Sequence, residues 1–193
     1  MTTVQRHPKL DVLVEHDVVT HVAARRMLAV LRVAFGLTFL WAFFDKLLAL
    51  GWATGTSRTT GAVDRFGPAA WVKGGSPTTG FLKSVDPGNW FHGFFTGMAG
   101  SAWVDWLFMI GLAGIGFALT LGIGMRIAAA TGALLYAFMW AASFPLANNP
   151  VIDDHVIGAV TVIALALVLA GDVWGFGQRW ARTSLVRRYG WLR

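Results

Sequence analysis

The residues best able to do chemistry sit in one short run, NNPVIDDH, Asn148 to His155, which gathers two amides, two carboxylates and an imidazole. Carboxylates and imidazoles are the groups that most readily trade protons near neutrality, and amides orient polar ligands. The same types also have a plain structural use, because an Asp just ahead of a helix is a good N-cap and Asn-Pro is ordinary turn chemistry. Capping accounts for one Asp. For the remainder two readings stand: a helix cap with its turn, or a polar-ligand and proton-handling site in which Asp153, Asp154 and His155 act and Asn148 and Asn149 bind. A metal is not expected, since three consecutive residues at a helix start project in different directions and no second His lies at ligand spacing. The other pair is Asp45 and Lys46, at the far end of an apolar stretch that begins after Arg32. Ionisable groups within a membrane are costly and read first as functional. Adjacent helical residues point about 100° apart, so Asp45 and Lys46 cannot both face one partner. The alternative is a snorkelling lysine beside a solvated aspartate.

These groups need a scaffold, and the composition says which kind. Of 193 residues, 55% are hydrophobic and only 13% charged, about half the charge that covers a soluble domain. Disorder is excluded by the same numbers. Cysteine is absent, which removes disulfides, thiolate metal sites and Cys nucleophiles together. No P-loop, GxSxG or dinucleotide fingerprint is present. Ten tryptophans suit interfacial aromatic belts.

Four stretches reach the roughly 20 apolar residues that a crossing requires: about 27–50, 103–124, 127–146 and 156–174. Residues 1–26 form a polar N-terminal segment with no apolar leader, and 175–193 form a basic tail. Ten Lys and Arg flank the spans on the side of the termini, against Arg58, Arg65, Lys73 and Lys83 in the long connection 51–102 and none in the link before the last span. The excess of positive residues predicts cytoplasmic termini. The formal charge of +6 is therefore a topology signal, with the arginine tail meeting anionic lipid headgroups and no nucleic acid expected. No histidine falls in a span, which disfavours a haem held between helices.

The predicted fold is all-α: a polytopic membrane four-helix bundle over 27–174. Gly114, Ala118 and Gly122 on span two and Ala128 and Gly132 on span three have the spacing for close helix approach. The connection 51–102 is too long for a simple loop. Its aromatic part, PGNWFHGFFTGMAG (87–100), reads as an amphipathic helix in the membrane plane, with Trp90, Phe91, Phe94 and Phe95 dipping into the headgroups. It makes an extracytoplasmic lid between helices one and two.

With LRVAFGLTFLWAFFDKLLALG (31–51), KGGSPTTGFL (73–82), LAGIGFALTLGIGMRIA (112–128), NNPVIDDH (148–155) and ARTSLVRRYGWLR (181–193), the sequence resembles the DoxX family of small bacterial and archaeal membrane proteins, which includes the DoxD-like subunit of thiosulfate:quinone oxidoreductase. The resemblance covers about residues 25–193. It implies a bundle in the bacterial cytoplasmic membrane and electron transfer from thiosulfate to quinone. It places Arg32, Gly36, Asp45 and Lys46 in span one, and Asn148, Asn149, Pro150, Asp153, Asp154 and His155 before span four.

Two functions compete. In the first, a quinone lies between helices near the outer leaflet, Asp45, Asp153, Asp154 or His155 relays protons, and a small oxyanion is drawn by Lys46 with Arg65 or Lys73 and bound by Ser76, Asn148 and Asn149. The chain has no evident redox centre, so electrons need the quinone, another cofactor or a partner subunit. In the second, the chain is a non-catalytic subunit of a membrane respiratory or redox-defence complex. A lipid or solute carrier is the weakest reading, because no repeat and no broken helix marks the membrane centre.

Overall fold

Long apolar segments leave few partners for backbone N–H and C=O groups except each other, and a helix satisfies them within the segment. The computed structural model describes residues 12–193 apart from 58 and 148, and its regular structure is helical. In chain order the helices are α1 (Glu15–Val18), α2 (Val22–Leu48), α3 (Thr79–Lys83), α4 (His92–Gly97), α5 (Ala102–Leu121), α6 (Met125–Ala142), α7 (Asp154–Leu167), α8 (Gly177–Ala181) and α9 (Ser184–Arg188). Three of them, α2, α5 and α6, are long and apolar enough to cross a membrane, whereas α7 is apolar with 14 residues, a rise of about 21 Å.

Helix α2 begins earlier than hydropathy suggests, because Arg25 and Arg26 lie within its first turns. It packs along α5, α6 packs along α7, and α5 and α6 join the two pairs. The link between α5 and α6 is tight because Gly122 and Gly124 both take positive φ, 71° and 58°, a conformation that glycine adopts without a Cβ clash. One continuous core results, built on Phe39 of α2, Met109, Leu112, Ile115 and Leu119 of α5, Met125 of α6, and Val162 and Leu165 of α7.

The closest approach in the α2–α5 pair is at Gly36 and Gly116. A Cβ on Gly36 would collide with the Thr120 side chain and stand 2.7 Å from its backbone N; one on Gly116 would stand 2.8 Å from Leu40. In the other pair, Gly158 of α7 lies on the Tyr136 ring of α6, where a Cβ would be 2.6 Å from Cζ. Gly114, by contrast, is exposed with open space around it. Of the small residues expected to bring helices together, Gly122, Ala128 and Gly132 are buried and Gly114 is not.

The end that carries α1 and the C-terminal tail, the basal end, is organised by Arg32. Its side chain is fully buried. Nε donates to Ala170 O at 2.9 Å, Nη1 to Thr120 O at 2.9 Å and to Leu119 O, and Nη2 to Trp174 O at 3.0 Å and Val173 O at 3.2 Å. These acceptors belong to the last turn of α5 and to the irregular turns after α7, carbonyls that no helix can satisfy itself. Asp172, in the turns after α7, accepts from Arg193 Nη2 at 3.0 Å. The tail folds back beside it, with Arg126 N–H donating to Arg193 O at 3.0 Å and Trp180 Nε1 to Leu192 O at 2.8 Å.

At the opposite end, the loop end, residues 51–101 pack on the helix termini. Asn89 Nδ2 donates to Ala141 O and Phe144 O at the end of α6, and Trp71 meets Trp106 of α5 edge-on at 4.7 Å. Trp90 and Phe91, just ahead of α4, and Phe94 within it are exposed. Phe95 departs from the expectation that it dips into the headgroups. It is 3% exposed and packs with Leu82, Val85 and Ala142, because the short helix α4 turns one of its rings onto the end of α6.

Replacing Arg32 with Leu is expected to remove five bonds to carbonyls, those to Leu119 and Ala170 buried, and cost on the order of 3 kcal/mol, read as a lower midpoint for thermal unfolding of the detergent-solubilised protein. Gly36→Val, which changes no hydrogen bond, is expected to cost about 1–3 kcal/mol through overpacking in the same measurement.

Candidate functional site

The chemistry expected at the NNPVIDDH run takes shape at the first turn of α7. Asp153 is the N-cap: its Oδ1 accepts from the backbone N–H of His155 at 3.0 Å and of Val156 at 3.1 Å. Its Oδ2 meets His155 Nδ1 at 2.6 Å. The cap reading therefore holds at Asp153, with one oxygen capping the helix and the other gripping the imidazole. Burial works to raise the Asp153 pKa, but the His155 ring bond and the two backbone donors prevail and hold it below the ordinary 3.8. An ionised carboxylate only accepts, so Nδ1 carries the hydrogen and Nε2 is left to bond a ligand. The two side chains are 21% and 24% exposed for Asp153 and His155 respectively, partly screened yet reachable. The Tyr136 ring lies 6.3 Å from the imidazole, and Tyr136 in turn contacts Phe39 at 5.5 Å. Asp154 is exposed at the same turn.

Asn149 builds the approach to this turn. Its Oδ1 accepts from Val151 N–H at 2.8 Å and Ile152 N–H at 2.9 Å, an Asx turn that directs the chain into α7. Trp140 Nε1 secures the same loop through Val151 O at 2.8 Å. Asn148 lies outside the described residues.

Asp45 is placed differently from a proton relay. It is 1% exposed and accepts from the N–H groups of Trp52, Ala53 and Thr54 at 3.2, 3.0 and 2.9 Å, so its charge is spent closing the turn that leaves α2. Lys46 points elsewhere, as the helical geometry demands, with Nζ 5.9 Å from the centroid of Phe108 on α5. Among the described residues no hydrogen bond or ion pair links Asp45 or Lys46 to the Asp153–His155 pair.

The remaining basic candidates are dispersed. Arg65 Nε donates to Leu50 O at 3.1 Å, and Lys73 is exposed in the 3-10 turn Trp71–Lys73. Ser76 is engaged by a residue that sequence reasoning missed. Asp105, in the first turn of α5 and 7% exposed, accepts from Ser76 Oγ at 2.9 Å, Thr78 Oγ1 at 2.6 Å and Thr78 N–H at 3.3 Å. Its carboxylate puts negative charge where an oxyanion held by Ser76 would sit. An Asp three residues inside an apolar span is the same signal that singled out Asp45. Asn89 was missed too, and only its polarity within an aromatic run marked it.

The site thus reduces to a carboxylate–imidazole pair beside a tyrosine at the loop end, with Lys46, Arg65 and Lys73 separate from it. Compared with known proteins, the chain matches no family model, no curated protein and no solved structure.

Two outcomes are expected from this geometry. Because the folded-state pKa of Asp153 is depressed, its capping contribution is present above about 3.8 and is lost as pH falls through the lower folded value; amide exchange of His155 and Val156 in acid reports it. Asp105→Ala is expected to free the Ser76–Thr78 segment and raise the rate of tryptic cleavage after Lys73 and Lys83, with α5 itself still protected.

Proposed function

We propose that this chain is an integral protein of a bacterial cytoplasmic membrane, a four-helix bundle of α2, α5, α6 and α7 with both termini cytoplasmic and residues 51–102 as an outer lid. In this reading it is a DoxX-like subunit linked to quinone-dependent oxidation of a small sulfur oxyanion such as thiosulfate. Three apolar helices of crossing length support the membrane part, and the bias of Lys and Arg toward the terminal flanks supports the orientation.

The Asp153–His155 contact of 2.6 Å carries the functional part. Quinone chemistry exchanges two electrons together with protons at the ring oxygens, and a bound quinone supplies the electron-carrying step. His155 is suited to hold or pass such a proton at Nε2, with Asp153 fixing its orientation. The residues fit a flat aromatic ligand, since Tyr136 stands beside the imidazole and Trp140 braces the loop. Lys46, Arg65 and Lys73 are the cations assigned to attract an anion at this end.

A second reading is favoured by one observation. Gly114 presents a small-residue surface with nothing packed on it, which suits another subunit's helix. A non-catalytic role within a larger membrane complex then follows, the buried polar groups being occupied in holding the fold.

In the first reading, the protein purified in mild detergent with its native partner reduces quinone when thiosulfate is added. His155→Ala is expected to lower that rate by about 100-fold or more. Undiminished turnover in that variant removes His155 from the mechanism, and a partner complex that binds no quinone and shows no turnover selects the second reading.

A further inference from the structure

The basal end holds a carboxylate with no part in the loop-end chemistry. Glu15, the first residue of α1, is 1% exposed, and among the described residues neither oxygen of its carboxyl group has a hydrogen-bond donor. Its own N–H donates to Asp172 Oδ2 at 2.9 Å, which brings a second carboxylate into its surroundings. Asp172 is already shared with Arg193 Nη2. From α2, Arg25 and Arg32 both act on Glu15 electrostatically. Arg32 is spent on backbone carbonyls, and Arg25 Nε is buried with no partner among the described residues. On α1 itself, His16 and Asp17 are exposed, and Asp17 accepts the N–H of Val14 at 2.8 Å.

A buried carboxylate that lacks donors and faces another carboxylate is far cheaper protonated than ionised. We propose that Glu15 is a proton-binding latch for α1: the neutral acid keeps this helix seated against Asp172, and ionisation releases it. The latch answers to pH at the basal end and is independent of the redox reading.

The direction of the response follows from linkage. Burial first, then the charge of Asp172, pushes Glu15 from its ordinary 4.5 up to about 7, against the opposing pull of Arg25 and Arg32. A group whose pKa is raised in the docked state favours docking below the undocked value and loses that advantage as pH rises through the docked one. Docking is therefore strongest below about 4.5, weakens up to about 7 and is level above. The docking constant changes by on the order of 100-fold across that window.

The absence of cysteine makes a direct test simple. The full chain, reconstituted in lipid with the single substitution Val18→Cys, carries one nitroxide on α1 at a position that is 45% exposed. The label is expected to be constrained at pH 5 and to gain a mobile component by pH 8. Glu15→Gln is expected to keep it constrained at both, whereas Asp17→Asn is expected to retain the pH response. A pH-independent label in the chain with native Glu15, or an unaltered pH response in Glu15→Gln, overturns the latch. Hydrogen exchange of the chain without any substitution is the second measurement. The Val19 N–H, bonded to Glu15 O at 2.7 Å, is expected to lose protection between pH 5 and 8 after correction for intrinsic rates, and constant protection overturns the proposal equally.

Discussion

A helix that ends in apolar surroundings leaves carbonyl oxygens that nothing nearby can satisfy, and Arg32 answers that constraint for two chain segments at once. Its guanidinium, rooted in α2, reaches the final turn of α5 and the turns that follow α7. Five N–H donors on a planar fork suit this task in a way that no lysine can match. The charge also sits at the negative end of the α5 dipole, which offsets part of its desolvation. Without it, the segments around Leu119 and Ala170 would each bury unpaired oxygen.

The loop end shows the converse arrangement, with anions gathering N–H groups. Asp45 takes three from the turn after α2, Asp153 takes two from the start of α7, and Asp105 draws in the Ser76–Thr78 segment. Arg32, Asp45, Asp105 and Asp153 thus each bond main-chain groups that water would otherwise solvate. What distinguishes the Asp153–His155 pair is that its imidazole is held by a single side-chain bond and keeps a nitrogen for other use.

The apolar stretches were legible because hydropathy reports the side chains that make a helix insoluble, and the centres of the long helices fall where those stretches lie. Their ends were less legible. Helix α2 runs back through Arg25 and Arg26, whose charge argues against an apolar span but not against a helix, and α7 stops at Leu167, where the chain turns to present carbonyls to Arg32. The N-cap role of Asp153 could be read from its place ahead of the apolar run. The role of Arg32 could not, since its partners are main-chain atoms and carry no residue signature. The same holds for Asn89 and for the turn gathered by Asp45. Among the candidate site residues, sequence spacing found the Asp153–His155 pair but could not show that Ser76 is held by Asp105, because 29 residues separate them.

The pairing of helices also says how the molecule comes apart. Glycine contacts lock α2 to α5 at Gly36 and Gly116, and α6 to α7 at Gly158 and Tyr136, whereas α2 meets α7 more sparingly. Cooperative units of local opening follow contact density. Each hairpin-like pair is accordingly one such unit, and the seam between the pairs yields before either pair does. The bonds from Arg32 to Ala170, Val173 and Trp174 cross that seam, so they set the strength of its basal edge.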